Sequence, residues 1–210
     1  MKIGILGATG GTGLSLLDQA LAREHEVVAV ARTPAKLNRS HARLTVAKGD
    51  VRSAESLVAP LTGCDAVVSC VGVTGLLEAR KGTDVYSVGT RNVMQAMHQA
   101  GVRRLLVVSS GGVEPQPSDG WFYKKILKPF FLEPIYADMR IMETELRATA
   151  LDWTIVRPPY LTGPMRQDYR VSADGPFPED KNLGRESLAH FLLHEAEAAK
   201  FVRRVVWISD

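Results

Sequence analysis

The run Gly7-Ala8-Thr9-Gly10-Gly11-Thr12-Gly13 offers main-chain amides with few side chains in the way, which suits a phosphate. It lies between an apolar stretch over 2–6 and a stretch that puts Leu14, Leu17 and Leu21 on one side. In a strand–turn–helix of this kind, Gly7 permits the tight turn and Gly10 lets a pyrophosphate approach the main chain. Gly13 lets helix and strand pack closely. The helix N-terminus adds unpaired N–H groups and a positive dipole end, and Thr9 and Thr12 add hydroxyls. At the end of the next β-branched run, where NAD-binding chains place a carboxylate for the ribose, stands Arg32. A guanidinium there suits the 2′-phosphate, which it grips in a fork, so the expected cofactor is NADP(H). Lys36, one turn on, adds charge. Other candidate groups carry less. His190 and His194 lie one helical turn apart without a third ligand, so no metal is expected. Cys64 and Cys70 form neither a disulfide framework nor a metal spacing. Arg103-Arg104 and Arg203-Arg204 read as solvated strand starts.

These groups need a frame. Strands are expected over 2–6, 27–31, 44–46, 65–71, 104–109, 153–156 and 203–208, and helices over 12–23, 53–60, 83–100, 135–149 and 186–195. Near-continuous apolar strands alternating with helices imply an α/β fold, a Rossmann-type doubly wound parallel sheet covered on both faces. Residues 1–210 read as a single domain. The segment 111–134 is too long for an ordinary connection and reads as a lid or substrate-side insertion. Its stretch WFYKKILKPFFL, 121–132, mixes aromatics with lysines. It fits a lid, a partner surface or an amphipathic helix over the core.

With 45% hydrophobic and 23% charged residues and a net charge of +3, the 210-residue chain has the composition of a globular enzyme domain. No apolar run reaches the roughly 18 residues of a spanning helix, and the glycine-rich start does not read as a signal peptide. A cytoplasmic protein with a small-molecule acceptor, and with neither nucleic acid nor membrane as partner, is the expectation.

Together, GATGGTG at 7–13, Val30-Ala31-Arg32, Gly49-Asp50-Val51, Ser69-Cys70-Val71-Gly72, Val108-Ser109-Ser110 and LDWTIVRPP at 151–159 mark a resemblance over essentially the whole chain. The sequence resembles the atypical short-chain dehydrogenase/reductases. Within them it is similar to the NAD(P)H-binding group containing biliverdin-IXβ reductase/flavin reductase and the NmrA-like proteins. The resemblance implies that Asp50 and Val51 meet the adenine, and that Cys70, Val71 and Gly72 border the ribose and pyrophosphate. It also implies that Ser109 and Ser110 lie beside the nicotinamide, with Pro158 and Pro159 turning the chain under it.

One departure shapes the functional expectation. Carbonyl-reducing short-chain dehydrogenases use Tyr-x-x-x-Lys, whereas here Tyr136 is followed by Arg140, and alignment of 143–146 puts Met139 at the lysine position. Arginine does not deprotonate and handles protons poorly, so Tyr136 reads as a helix-start or lid tyrosine. Tyr160 stands where the biliverdin-reductase-like proteins carry a histidine after Pro-Pro. Ser110 and Tyr160 are the residues expected to position the acceptor and serve catalysis. The implied function is NADPH-dependent hydride transfer to a planar conjugated acceptor, whether flavin, quinone or tetrapyrrole. The alternative is an NmrA-like redox sensor or assembly protein that binds the dinucleotide without turnover.

Overall fold

A computed structural model describes residues 1–73, 75–116, 120–179 and 182–210. Its strands are β1 Lys2–Leu6, β2 Glu26–Ala31, β3 Leu44–Lys48, β4 Ala66–Ser69, β5 Arg104–Val108, β6 Asp152–Arg157, β7 Arg170–Ser172 and β8 Arg204–Ser209. They form one sheet in the order β3-β2-β1-β4-β5-β6-β8-β7, parallel throughout except for the β7–β8 pair. The inner strands are rich in β-branched residues and buried on both faces because helices cover both, whereas the edge strands β3 and β7 are only partly buried. Helices α1 Gly11–Ala22 and α6 Arg185–Ala198 pack Leu16, Leu17, Leu188 and Leu192 on one face. On the other, α2 Glu55–Leu61, α4 Ser87–Ala100 and α5 Glu133–Arg147 bury Leu57, Val93, Met97, Met142 and Leu146. This is the expected doubly wound Rossmann-type architecture. Strand order reverses between β1 and β4, and the crevice at their carboxyl ends is where such sheets bind ligands.

Three elements differ from the sequence expectation. β7 was not expected: it has three residues, none fully buried, and owes its strand form to pairing Arg170 with Ser209 through Ser172 with Trp207. A short helix, α3 Leu76–Arg80, follows β4. The segment 111–134 is also more regular than a loop. A 3-10 turn occupies Gly111–Val113, and Tyr123–Leu132 is a wide π-helical stretch that runs into α5. Pro129, inside this stretch, lacks the N–H that regular helical bonding needs, which disfavours an ordinary α-helix there. Residues 117–119 of the expected lid lie outside the described residues.

Arg104 corrects another expectation. It is a buried strand start, not a solvated one. Its guanidinium donates to Glu195 Oε1 at 2.6 Å, to the Asp152 carbonyl at 2.8 Å and to Thr154 Oγ1 at 2.8 Å. Arg103 and Arg203 are exposed and donate to the Ala150 carbonyl. At the amino edge of β5 and β6, this cluster ties the sheet to α6.

Candidate functional site

The turn between β1 and α1 is forced by contact. Gly7 has φ +79°, and a Cβ on it would stand 2.7 Å from the Cys70 carbonyl oxygen. A Cβ on Gly13 would lie 2.3 Å from the Gly7 carbonyl oxygen. Only glycine lets β1, β4 and α1 meet so closely. Gly10 differs: its Cβ would have a single neighbour, Gly7 O at 3.4 Å, and otherwise open space. The first intrahelical bond of α1 runs from Leu14 N to Gly10 O at 2.8 Å, so the amides of 11–13 have no acceptor within the helix. No acidic side chain in the first turn and no side-chain cap compensates them. This cradle of amides at a positive helix end fits a pyrophosphate. Thr9 is exposed and Thr12 half-buried beside it.

Around the crevice the sequence-derived residues fall on successive strand ends. Arg32 follows β2, is exposed, and has no hydrogen bond or ion pair among the described residues. Lys36 is exposed in the 3-10 turn Pro34–Lys36 just after it. Asp50 follows β3 and accepts from Arg52 N at 3.0 Å, which makes it the turn former; its own amide donates to Ser56 Oγ at 2.9 Å. Val51 is half-buried and packs against Gly89 of α4. After β4, Cys70 presents its carbonyl to Gly7, while burial pushes its thiol up to about 12. Val71 and Gly72 continue along the same edge.

What holds that edge was not foreseen. Asp138 of α5 is buried and accepts from Tyr86 N at 2.9 Å and Ser87 N at 3.3 Å, capping α4. The Tyr86 hydroxyl in turn accepts from Val73 N at 3.1 Å. The loop bordering the expected ribose is thus fixed through α4 by a carboxylate on α5.

After β5 the two serines part company. Ser109 is buried, and its hydroxyl donates to Glu143 Oε1 at 2.7 Å. Glu143, 3% exposed, is gripped by Arg157 through Nε at 3.0 Å and Nη2 at 2.6 Å. Arg157 is 2% exposed, lies 4.9 Å from the Trp207 ring centroid, and also meets Glu114 at 2.9 Å. The hydroxyl of Ser109 therefore locks β5, β6 and α5 together. Ser110 alone of the pair lines the cleft beyond the strand ends.

That cleft has a volume of about 550 Å³ and is lined by Ser110, Tyr123, Tyr136, Met139, Pro159, Tyr160 and Arg185, among others. Ser110 Oγ accepts from Gly112 N at 3.2 Å. Pro158, buried, accepts from Gly111 N at 2.9 Å, which pins the β6 exit to the β5 exit. Tyr160 is 52% exposed, with its carbonyl held by Leu183 N at 3.0 Å. Tyr136 is buried, and its hydroxyl bonds that of Tyr123 at 2.9 Å. Arg140 is turned away from it, donating to the Val113 carbonyl at 3.2 Å and to Glu133. Met139, at the aligned lysine position, is a cleft wall. Lys128 stands over the Tyr136 ring, 5.5 Å from its centroid.

Arg185 was missed altogether. The first residue of α6, it lies across the N-terminus of α1, where a Cβ on Gly11 would be 2.6 Å from its Cδ. It has no hydrogen bond or ion pair among the described residues. A guanidinium over a positive helix end is favourable only with an anion between them. No sequence signal marks it, because 174 positions separate it from Gly11. The two helical histidines make no such site. His190 Nδ1 shares a hydrogen bond of 2.8 Å with the Tyr169 hydroxyl. Among the described residues no group of three His, Cys, Asp or Glu is arranged for a metal ion.

Comparison with known proteins gives the family. The Mycobacterium tuberculosis protein Rv2047c is 34% identical over 111 residues, a match covering 53% of this chain and 12% of that protein. The chain thus spans a small part of the length of the mycobacterial relatives it matches. YhfK of Bacillus subtilis, described as an uncharacterized sugar epimerase, is 29% identical over 162 residues, covering 75% of this chain and 71% of that one. A short-chain dehydrogenase/reductase (wide type) from Veillonella parvula, solved in complex with NADP, superposes with a TM-score of 0.78. That match covers 100% of this chain and 94% of the other at 21% identity, a likeness of fold. The pattern of the NAD(P)H-binding family matches residues 7–199, from the first glycine of the cradle to the end of α6. The match spans most of the chain, and the chain belongs to the NAD(P)H-binding family.

Proposed function

We propose that this chain is an NADPH-dependent reductase of a planar conjugated acceptor: flavin first, then quinone or tetrapyrrole. The observation that carries the reading is the aromatic, hydroxyl-bearing cleft, one of whose lining residues, Arg185, also lies against Gly11 of the glycine cradle. Bound NADPH supplies the hydride, so the protein's part is placement. The amides of 11–13 and Arg185 hold the pyrophosphate from two sides, and Arg32 takes the 2′-phosphate. The NADP found with the Veillonella parvula structure supports that choice of cofactor. Ser110 and Tyr160 position the acceptor from the β5 and β6 exits, where a misplacement of about 1 Å costs on the order of 10²-fold. Tyr136 is not the proton donor. Its hydroxyl is engaged with Tyr123, Arg140 is occupied elsewhere, and Lys128 faces its ring rather than its oxygen.

Two measurements test this. In calorimetry, Arg32→Ala erases the preference for NADPH over NADH, whereas Arg185→Ala weakens both. Each loses about 10–100-fold, the worth of a charge-assisted contact. Equal binding of the two cofactors by wild type removes Arg32 from the site. In steady-state oxidation of NADPH against flavins, quinones and bilins, Ser110→Ala and Tyr160→Phe lower kcat/KM by about 10²-fold and Tyr136→Phe by much less. A collapse confined to Tyr136→Phe restores the ordinary short-chain dehydrogenase mechanism. Tight NADPH binding without turnover of any acceptor assigns the chain to dinucleotide sensing.

A further inference from the structure

The π-helical stretch Tyr123–Leu132 has two apolar sides, and the fold uses one. Tyr123, Leu127, Phe131 and Leu132 pack on the core. Trp121, Phe122 and Phe130 are 71%, 60% and 64% exposed, and Leu77 of the adjoining α3 is 73% exposed. These four make up half of the large hydrophobic residues exposed among the described residues. Lys124 and Lys125 are exposed between them and have no ion pair among the described residues. The neighbouring carboxylates are neutralised, Glu78 by Lys81 and Glu133 by Arg140. Among the described residues, the uncompensated charge on this face is therefore positive, and it is interleaved with aromatic rings.

We propose that this face docks on an anionic lipid surface. Tryptophan and phenylalanine settle at the headgroup level of a bilayer, where an apolar ring body meets water. Lysines beside them reach the lipid phosphates. Lipid phosphate matches the charge; a second copy of this chain meeting the same face about a two-fold axis brings Lys124 and Lys125 toward their own counterparts. No helix among the described residues is long and apolar enough to cross a membrane, and none is needed. The expectation of no membrane partner rested on the lack of a spanning run, which leaves surface docking untouched. Tyr123 and Leu132 on the inner side line the cleft, so a docked segment sets the cleft mouth against the lipid boundary.

The test reads binding and not turnover, so its outcome is separate from that of the reductase reading. Trp121 is the exposed tryptophan, against a buried Trp153 and a half-buried Trp207, and it serves as the reporter. With vesicles of equimolar phosphatidylglycerol and phosphatidylcholine, the protein is expected to co-sediment and its emission to shift to the blue. Both effects should be lost with phosphatidylcholine alone or in high salt. Lys124→Glu/Lys125→Glu weakens binding by more than about tenfold, since each lysine near such a surface contributes about 1 kcal/mol. Phe122→Ser/Phe130→Ser, which keeps the Trp121 reporter, weakens both co-sedimentation and the spectral shift, while an unchanged thermal melt shows that both variants are folded. The proposal is overturned by absence of binding to anionic vesicles at low salt, by equal binding to neutral ones, or by full binding of the charge-reversed variant. Concentration-dependent self-association that buries Trp121 also overturns it, and gives the face to a second copy.

Discussion

Glu143→Ala is expected to lower the stability of the protein by about 2–4 kcal/mol, short of the full cost of an unpaired buried charge because Arg157 keeps its second carboxylate, Glu114. The figure applies because Arg157 is 2% exposed and lies against Trp207, so that without Glu143 its charge is met only by the half-exposed Glu114. Arg147, which also reaches Glu143 at 2.9 Å, is half exposed and loses little. Glu143→Gln keeps the shape and an acceptor for Ser109 but not the charge, so its loss falls between. Replacing both partners, Glu143→Leu with Arg157→Leu, should recover much of the difference, because the pair's own desolvation disappears with it. Urea unfolding of the four proteins measures this. A Glu143→Ala loss below about 1 kcal/mol, the worth of a surface pair, would show that the network is open to solvent. The same variant should weaken turnover beyond its effect on folding, since the strand end it frees carries Ser110.

Gly13→Ala is expected to damage folding and cofactor binding together. The three atoms nearest its methyl group would all be main chain: Gly7 O at 2.3 Å, Gly7 C at 2.8 Å and Ala8 Cα at 3.0 Å. No side chain can swing aside, so α1 must move off β1, at about 1–3 kcal/mol for overpacking. That shift misaligns the amides of 11–13, and NADPH affinity should fall on the order of 10²-fold. Gly10→Ala separates the two effects. Its methyl meets only Gly7 O at 3.4 Å, so thermal stability should hardly change while NADPH affinity still drops. Thermal melts with calorimetry on both variants decide the matter. If Gly10→Ala binds NADPH as wild type does, the main chain there is not the pyrophosphate's approach.

The glycine cradle, β1 to β6 and β8 were legible because their signals are local: apolar runs of strand length, and glycines at fixed offsets from them. Ends were less so, as with α4, expected from 83 and found from Ser87. β7 was illegible because Arg170–Ser172 has no strand signal of its own and is made a strand by β8. Pro129 and Pro134 hid the helical character of Tyr123–Leu132, since a proline normally ends a helix. Charges misled most. Arg104 pairs with Glu195 across 91 residues, and Asp138 caps α4 across 52, so burial depended on partners that no short window contains. Ser109 shows the same limit inside a recognised motif: its position was legible, its hydroxyl's direction was not.

The place of β8 has a consequence for how the chain comes off the ribosome. β8 follows every other strand in chain order, yet it lies inside the sheet, between β6 and β7. During vectorial synthesis, β6 therefore emerges with one flank unpaired, and β7 has no neighbour in this sheet until β8 leaves the exit tunnel. Over that interval the nascent sheet presents Thr154 to Arg157 as an open hydrogen-bonding flank, the row that Arg204 to Trp207 later occupies. Unpaired flanks of this kind template pairing between neighbouring chains. The chain is thus most exposed to intermolecular capture in the interval between β6 and β8, and the fourteen-residue α6, made within it, is the element placed to shield the apolar face until β8 closes the row.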